Sequence, residues 1–428
     1  MMNDFHKLSA VEMRDGIARG RLSSVELVTS CLRRIEIREP LIGAWAHIEP
    51  DRALEQARAA DSHRAAGKVL GPLHGVPVGI KDIIDTAELP TEFGTPAFAG
   101  HRPASDAAVV LRLKAAGAVI LGKTVTTELA FYGPGKTRNP VDPARTPGGS
   151  SSGSAAAVAD FHVPLALGSQ TAGSILRPAS YCGVFGFKPT FGMIPLEGVI
   201  AQSPPLDTLG GYARTVADTA LLTAILTGQP CDLEQGEGRS IRLAFVKTPS
   251  WTEGDKDMRE AFERLLSANE NVIVEAAMPD DFTDTSGLQR AVQFHDIARN
   301  YGPIVDRHSD VMSAKLKQVV EEGRSVTEAE YELALRRREP LYRALDGLLS
   351  GYDAILTPAS QGVAPEGLAA TGSPMFNFIW TYLGVPAISV PLLTSGGLPL
   401  GVQLVGPRGG DARLLGVAEA AMAALKRP

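Results

Sequence analysis

The sequence is short of the residues that build metal and disulfide sites. Three of its 428 residues are cysteine (Cys31, Cys182 and Cys231), and no two have the spacing of a metal pair. An odd number of scattered thiols argues against a disulfide framework. The eight histidines are dispersed, and neither HExxH nor CxxC occurs, so no metal site is expected. His74, beside Gly75, is the one histidine near a motif of interest; it reads as hydrogen-bonded or solvent-facing rather than as a ligand. No GxGxxG follows a predicted strand, and SxxK is missing before every lysine. No cofactor is expected. Positive charge is also scarce. The formal net charge is −6 and there is no basic run, which removes electrostatic support for a nucleic-acid or anionic-membrane partner. No apolar run reaches the roughly 18 residues of a membrane span. The opening MMNDFHKLSAVEMRDG lacks a basic-then-apolar leader pattern, so the expected location is cytoplasmic.

What is present is a globular composition, 44% hydrophobic and 21% charged, with 44 glycines and 30 prolines that suit many tight turns. Residues 8–40 and 51–66 read as helices, the first with a capping box at Ser23 and Glu26. In GPLHGVPVGIKDIID, Val76, Val78 and Ile80 alternate as in a strand, which turns Gly79 and Lys81 to the other face. A lysine at a strand end is ordinarily exposed. Ser105 is expected to cap a helix through Val109, Val110 and Leu113, with Ala118–Leu121 a buried strand after it. Gly117 to Thr124 satisfies the P-loop pattern GxxxxGKT. That pattern needs a strand before its first glycine and a flexible loop between the glycines, and here a helix and a strand occupy those places. Tyr181–Lys188 reads as a buried strand or loop, 284–350 as mostly helical and charge-rich, and Phe376–Leu383 as a helix. Further strands are expected at Ile241–Val246, 272–276, Asp353–Thr357, Ala387–Val390 and Val402–Val405. Further helices are expected at Val216–Ile225, 256–269 and 411–425. Strands alternating with helices imply an α/β layer architecture with a largely parallel or mixed sheet.

The chemistry concentrates in RTPGGSSSGSAAAVADFHVPLALGSQTAGSILRP, residues 145–178, where two Gly/Ser clusters flank an apolar segment. Gly149–Gly153 matches the nucleophile-elbow pattern GxSxG with Ser151 at its centre. An elbow needs a strand just before it, and Asn139–Pro147 is a loop by composition. No histidine is well placed to activate a serine, so a serine–lysine arrangement is the better candidate.

Lys81 in VGIKD, the cluster RTPGGSSSGSAAAVA and the segment GSQTAGSILRPASYCGVFGFKPT occur in the order and spacing of the amidase signature family. YLGVPAISVP and GLPLGVQLVGP also resemble it, and the resemblance runs from about Leu8 to Leu415. It implies an amidase-signature α/β/α fold, a mixed, largely parallel central sheet covered by helices on both faces. It further implies a single domain over 1–428, made of N-terminal helices at 1–70, a signature core at 71–210 and a variable helical region at 284–350.

Carried across by motif, Ser174 matches the nucleophile, Ser150 the serine held in a cis peptide bond, and Lys81 the base. The backbone amides of Thr171, Ala172, Gly173 and Ser174 match the oxyanion hole. Lys81 is competent only when neutral, which requires desolvation by its apolar neighbours and requires Asp82 and Asp85 to face elsewhere. The implied activity is hydrolysis of a non-peptide carbon–nitrogen bond through an acyl-enzyme, without cofactor or metal, on a small-molecule amide. Self-association into a homodimer is left open.

Carbamate, urea or ester hydrolysis uses the same acyl-enzyme chemistry. A second alternative is the glutaminase subunit of a tRNA-dependent amidotransferase, although GKTVTTELA lacks the Asn-Met-Asp-Glu-Phe such subunits carry there. A third is an inactive scaffold, which the presence of all three triad residues opposes. Gln170 and Ala172 depart from the family's Asp-x-Gly-Gly-Ser pattern, and Ser152 replaces a common glycine. Phe131, Tyr132, Trp380 and Tyr382 are the candidates for an apolar or aromatic substrate pocket; Phe131 and Tyr132 are equally readable as packing residues.

Overall fold

Alternating strand and helix signals resolve into one large sheet with helices on both faces. The computed structural model describes residues 4–231, 233 and 240–426. The strands are β1 (Trp45–Ile48), β2 (Pro77–Lys81), β3 (Val119–Thr124), β4 (Leu165–Gln170), β5 (Phe185–Lys188), β6 (Thr208–Ala213), β7 (Leu243–Val246), β8 (Ile273–Ala276), β9 (Ala354–Pro358), β10 (Ala387–Ser395) and β11 (Leu398–Val405). They lie in the order β1-β3-β2-β4-β6-β5-β10-β11-β9-β7-β8. The helices are α1 (Ala10–Ala18), α2 (Ser24–Ile42), α3 (Pro50–Ala65), α4 (Ala108–Ala115), α5 (Ser152–Ala159), α6 (Leu176–Cys182), α7 (Val216–Thr227), α8 (Lys256–Ala268), α9 (Thr285–Arg307), α10 (Ala314–Arg324), α11 (Glu328–Leu349), α12 (Phe378–Tyr382) and α13 (Asp411–Ala424).

The sheet is mixed, with a smaller parallel share than expected. Among the described residues, β3-β2-β4 and β9-β7-β8 are parallel runs, and the other six pairings are antiparallel. The tight turn at Gly396–Gly397, with both φ positive, closes β10 onto β11 as a hairpin, which forces that pair antiparallel.

In the β3-β2-β4 part of the sheet, period-two alternation divides the strand residues between two of the molecule's cores. Val78, Ile80, Ile120, Leu165 and Leu167 face α4 and α7. Val119, Leu121 and Ala166 face α2, α3 and α5. Gly79 belongs to the second face, where a Cβ would stand 3.0 Å from the Thr124 methyl and 3.3 Å from the Trp45 ring. Helix α5 is built from Ser, Gly and Ala except for Val158, and therefore lies close on the sheet. A Cβ on Gly153 would meet the Ala44 carbonyl oxygen at 2.2 Å and the Val125 nitrogen at 2.4 Å.

Two local expectations are corrected. Tyr181 and Cys182 complete α6 rather than a strand, and β5 begins only at Phe185, after Gly183 ends the helix in a left-handed conformation. Helix α4 is not capped by Ser105; its N-cap is Ala107, without a side-chain bond. No helix of the described residues is long and apolar enough to cross a membrane.

Candidate active site

The site forms where the adjacent parallel strands β2 and β4 end, the usual place for chemistry in an α/β sheet. Lys81 is the last residue of β2 and is fully buried. Its Nζ lies 2.7 Å from Ser150 Oγ and 2.8 Å from Ser169 Oγ. Burial pushes the lysine well below its usual pKa range, and the carboxylate that opposes this is Asp207. Asp82 turns away from Lys81 and pairs with Lys123 at 3.2 Å. Lys123 is the lysine of the P-loop-like run. It is spent on Asp82, the Pro90 carbonyl at 3.1 Å and Thr91 Oγ1 at 2.5 Å, inside a strand rather than a phosphate loop.

Ser150 follows a cis Gly149–Ser150 peptide and is almost fully buried. The peptide is clamped on both sides. Arg177 Nη2 donates to the Gly149 carbonyl at 2.6 Å, and the Thr127 amide donates to the Ser150 carbonyl at 3.1 Å. Ser151 and Ser154 of the cluster are engaged with β4. Ser151 Oγ donates to the Ser169 carbonyl and accepts the Ser169 amide, both at 3.2 Å, and Ser154 Oγ donates to the Leu167 carbonyl at 2.7 Å. They bolt α5 to β4. Ser151 is fully buried, so the GxSxG reading has no reachable hydroxyl.

Ser174 is the partly exposed member of the group, just ahead of α6. Its carbonyl accepts Tyr212 Oη at 3.0 Å and the Ser151 amide at 3.4 Å. Gln170 stands where the family usually has Asp, and its Oε1 accepts the Ile175 and Leu176 amides at 2.9 and 3.1 Å. The neutral amide thus fixes the start of α6 without adding a charge near Lys81. Ala172 is accommodated, whereas a Cβ on Gly173 would sit 2.4 Å from Asn377 Oδ1.

The carbonyls of this loop are taken up by distant side chains. Gln289 Nε2 donates to the Thr171 carbonyl at 3.1 Å and Thr381 Oγ1 to the Ala172 carbonyl at 2.7 Å. Asp207 accepts Thr171 Oγ1 at 2.6 Å and the Gln202 and Ser203 amides at 2.8 and 2.9 Å. Burial raises its pKa to about 6.

Against Ser169 and Thr171 lies a cavity of about 140 Å3. Its walls include Ile83, Leu196, Ile200 and Leu209, with Ser169 and Asp207 as polar members. Phe131 is buried and packs edge-on against the half-buried Tyr132, their ring centres 4.4 Å apart. Trp380 and Tyr382 are fully buried in an apolar cluster with Leu345 and Val385, and the Tyr382 hydroxyl bonds the Ala334 carbonyl. It is Thr381, between them, that reaches the serine loop. His74 is nearly buried and its Nε2 bonds the Ala60 carbonyl at 2.9 Å. Among the described residues no cluster of His, Cys, Asp or Glu is arranged to hold a metal.

Ser169, Asp207, Gln289 and Thr381 are not apparent as site residues in the sequence. Asp207 alone leaves a trace, as a lone acid in the apolar run PPLDTLG.

The fold and its matches place the chain in a class of hydrolases acting on carbon–nitrogen bonds. The chain belongs to the Amidase family, whose model matches residues 26–415. It is 34% identical over 479 aligned residues to a glutamyl-tRNA(Gln) amidotransferase subunit of Chloroflexus aurantiacus, covering 98% of this chain and 97% of that one. An amidase of known structure is 31% identical over 98% of this chain and 100% of its own, with a TM-score of 0.90. The peptide amidase of Stenotrophomonas maltophilia is 27% identical over 99% of this chain and 98% of its own, with a TM-score of 0.85.

Proposed function

We propose that the protein hydrolyses the amide bond of a small, non-peptide substrate, with Ser174 as nucleophile, Ser150 as proton relay and Lys81 as base. The observation that carries this reading is the buried Lys81 Nζ at 2.7 Å from Ser150 Oγ. A neutral amine has two N–H groups and one lone pair. Donation to Ser169 Oγ leaves the lone pair for the Ser150 proton. Ser150 in turn accepts the Ser174 proton as Ser174 Oγ bonds to the substrate carbonyl carbon. The negative charge moves to the carbonyl oxygen, where the amides of Thr171 to Ser174 stabilise it. The proton then returns to the leaving nitrogen as the carbon–nitrogen bond breaks. Water repeats the sequence on the acyl-enzyme. The small cavity beside Ser169 suits a compact apolar acyl group.

A fluorophosphonate reagent tests the assignment. Mass spectrometry should find one adduct, on Ser174, and none in Ser174→Ala. An adduct on Ser151, or none at any pH, would overturn it. Lys81→Ala should lower kcat by at least roughly 100-fold with KM little changed.

The curated relatives favour a second reading, release of ammonia from glutamine as one subunit of an amidotransferase. A substrate panel separates the two. Turnover of aliphatic and aryl amides with glutamine inert supports the first, and glutamine alone supports the second. Ureas, carbamates and esters in the same panel define the acyl class.

A further inference from the structure

The charge-rich region after residue 284 carries a polar stripe on its inner face. Gln289, Gln293, Asp296 and Asn300 lie at i, i+4, i+7 and i+11 of α9, one side of a helix. Gln289, Gln293 and Asp296 are buried. They contact the serine loop and the cavity wall. Gln289 Nε2 donates to the Thr171 carbonyl and, at 3.1 Å, to Gln293 Oε1. Gln293 Nε2 donates to Gln202 Oε1 at 2.8 Å, and Gln202 Nε2 to the Ala130 carbonyl at 3.2 Å. Ser203 Oγ donates to Asp296 at 2.7 Å, and Asn300 Nδ2 to the Gln202 carbonyl at 3.1 Å. Both ends of the glutamine chain are carbonyls, so each amide has one permitted orientation. A flipped Gln289 would set its oxygen against the Thr171 oxygen.

In a trans peptide the C=O and the N–H that follows point in opposite directions. The Thr171 carbonyl is taken by α9 and the Ala172 carbonyl by Thr381 of α12, and these helices pack on each other. The amides of Ala172 and Gly173 therefore both face away from that helix pair. Successive amides turned to one side form an anion-binding nest.

We infer that Gln289 is a positioning residue for the oxyanion: it sets the Thr171–Ala172 peptide plane, and so aims the Ala172 amide at the reacting carbonyl. Gln293 holds it in that role. The inference rests on Ser174 being the nucleophile. It gives the helical region after residue 284 a part in the reaction through the Thr171 carbonyl.

Gln289→Met removes the donor, and Gln289→Glu keeps the shape while replacing the donor with an acceptor. In both, kcat should fall by roughly 10- to 100-fold, with KM within about twofold. Affinity for a boronic acid, whose adduct on the serine carries the tetrahedral oxyanion, should fall by the same factor, while affinity for the carboxylic acid product stays put. Gln293→Met should show the same split at smaller size, and it serves as the decisive variant if both Gln289 variants fail to fold. Variants that keep wild-type kcat, or lose only KM, overturn the inference as long as fluorophosphonate still labels Ser174. Absence of that label in the wild type overturns the proposed function instead.

Discussion

Lys81 shows how surroundings fit a single side chain for the role of base proposed for it. A lysine in water holds its proton at neutral pH and cannot serve as a base. Here the strand end is dry, Asp82 is diverted to Lys123, and the remaining opposing charge is Asp207. The acid limb of kcat/KM should therefore fall well below the ordinary lysine range, with activity rising as Lys81 loses its proton. Asp207→Asn removes a negative charge that favours protonated Lys81, so the limb should move to lower pH. A pH profile in which the limb stays fixed or moves upward would show that Asp207 does not act on the base. Lys81, Ser150 and Ser174 are candidates in the sequence because their segments resemble the motifs of the amidase signature family, which run along the chain in the same order. Ser169 and Asp207 are not. Their roles depend on contacts with residues 88 and 36 positions away, and nothing local marks them.

At the scale of elements, glycine has two opposite meanings that spacing alone does not separate. Gly153 sits inside α5 where the helix backbone touches Val125, just past β3, and Ala44. Gly347 sits in α11, exposed, with nothing near its missing Cβ. Gly153→Ala should destabilise by at least about 1–3 kcal/mol, because backbone must move to make room. Gly347→Ala should stabilise by about 0.5–1 kcal/mol through helix propensity. Urea unfolding midpoints check both, and equal shifts would refute the contrast. The same distinction limits what sequence reveals about elements. The alternation of Val78 and Ile80 and the box at Ser23 and Glu26 are local patterns, and the strand and the cap are both found. The boundary inside Tyr181–Lys188 depends on Gly183 in a left-handed turn, and an apolar run does not announce where that turn falls. The stripe on α9 reads in sequence as an ordinary polar face. It becomes recognisable only when the loop it covers is known.

At the scale of the molecule, the sheet brings buried ionisable groups into a dry interior, and these should shape the dependence of stability on pH. Lys188 ends β5 with its Nζ 2.8 Å from the Pro189 carbonyl, and burial lowers its pKa to about 7, partly offset by Asp411. Asp207 is shifted the opposite way, to about 6. Both shifts favour the neutral form, so each charge is a cost to the fold. For Asp207 the folded pKa lies above the unfolded value near 3.8, so its contribution is intact below that pH and is lost as pH rises through about 6. For Lys188 the folded pKa lies below the unfolded value near 10.5, so its contribution is complete above that pH and is lost as pH falls through about 7. The two together place a minimum in stability near pH 6–7 on top of the background from surface groups. The full swing is about 5 kcal/mol for Lys188 and about 3 kcal/mol for Asp207. Lys188→Met, which keeps most of the apolar stem, should raise the unfolding midpoint at pH 7 and flatten the rise between pH 7 and 10. If that variant unfolds with the same pH slope as wild type in this range, the buried lysine is not the source of the slope. The protonated amine is then being compensated by charge elsewhere in the fold, with Asp411 the first group to test.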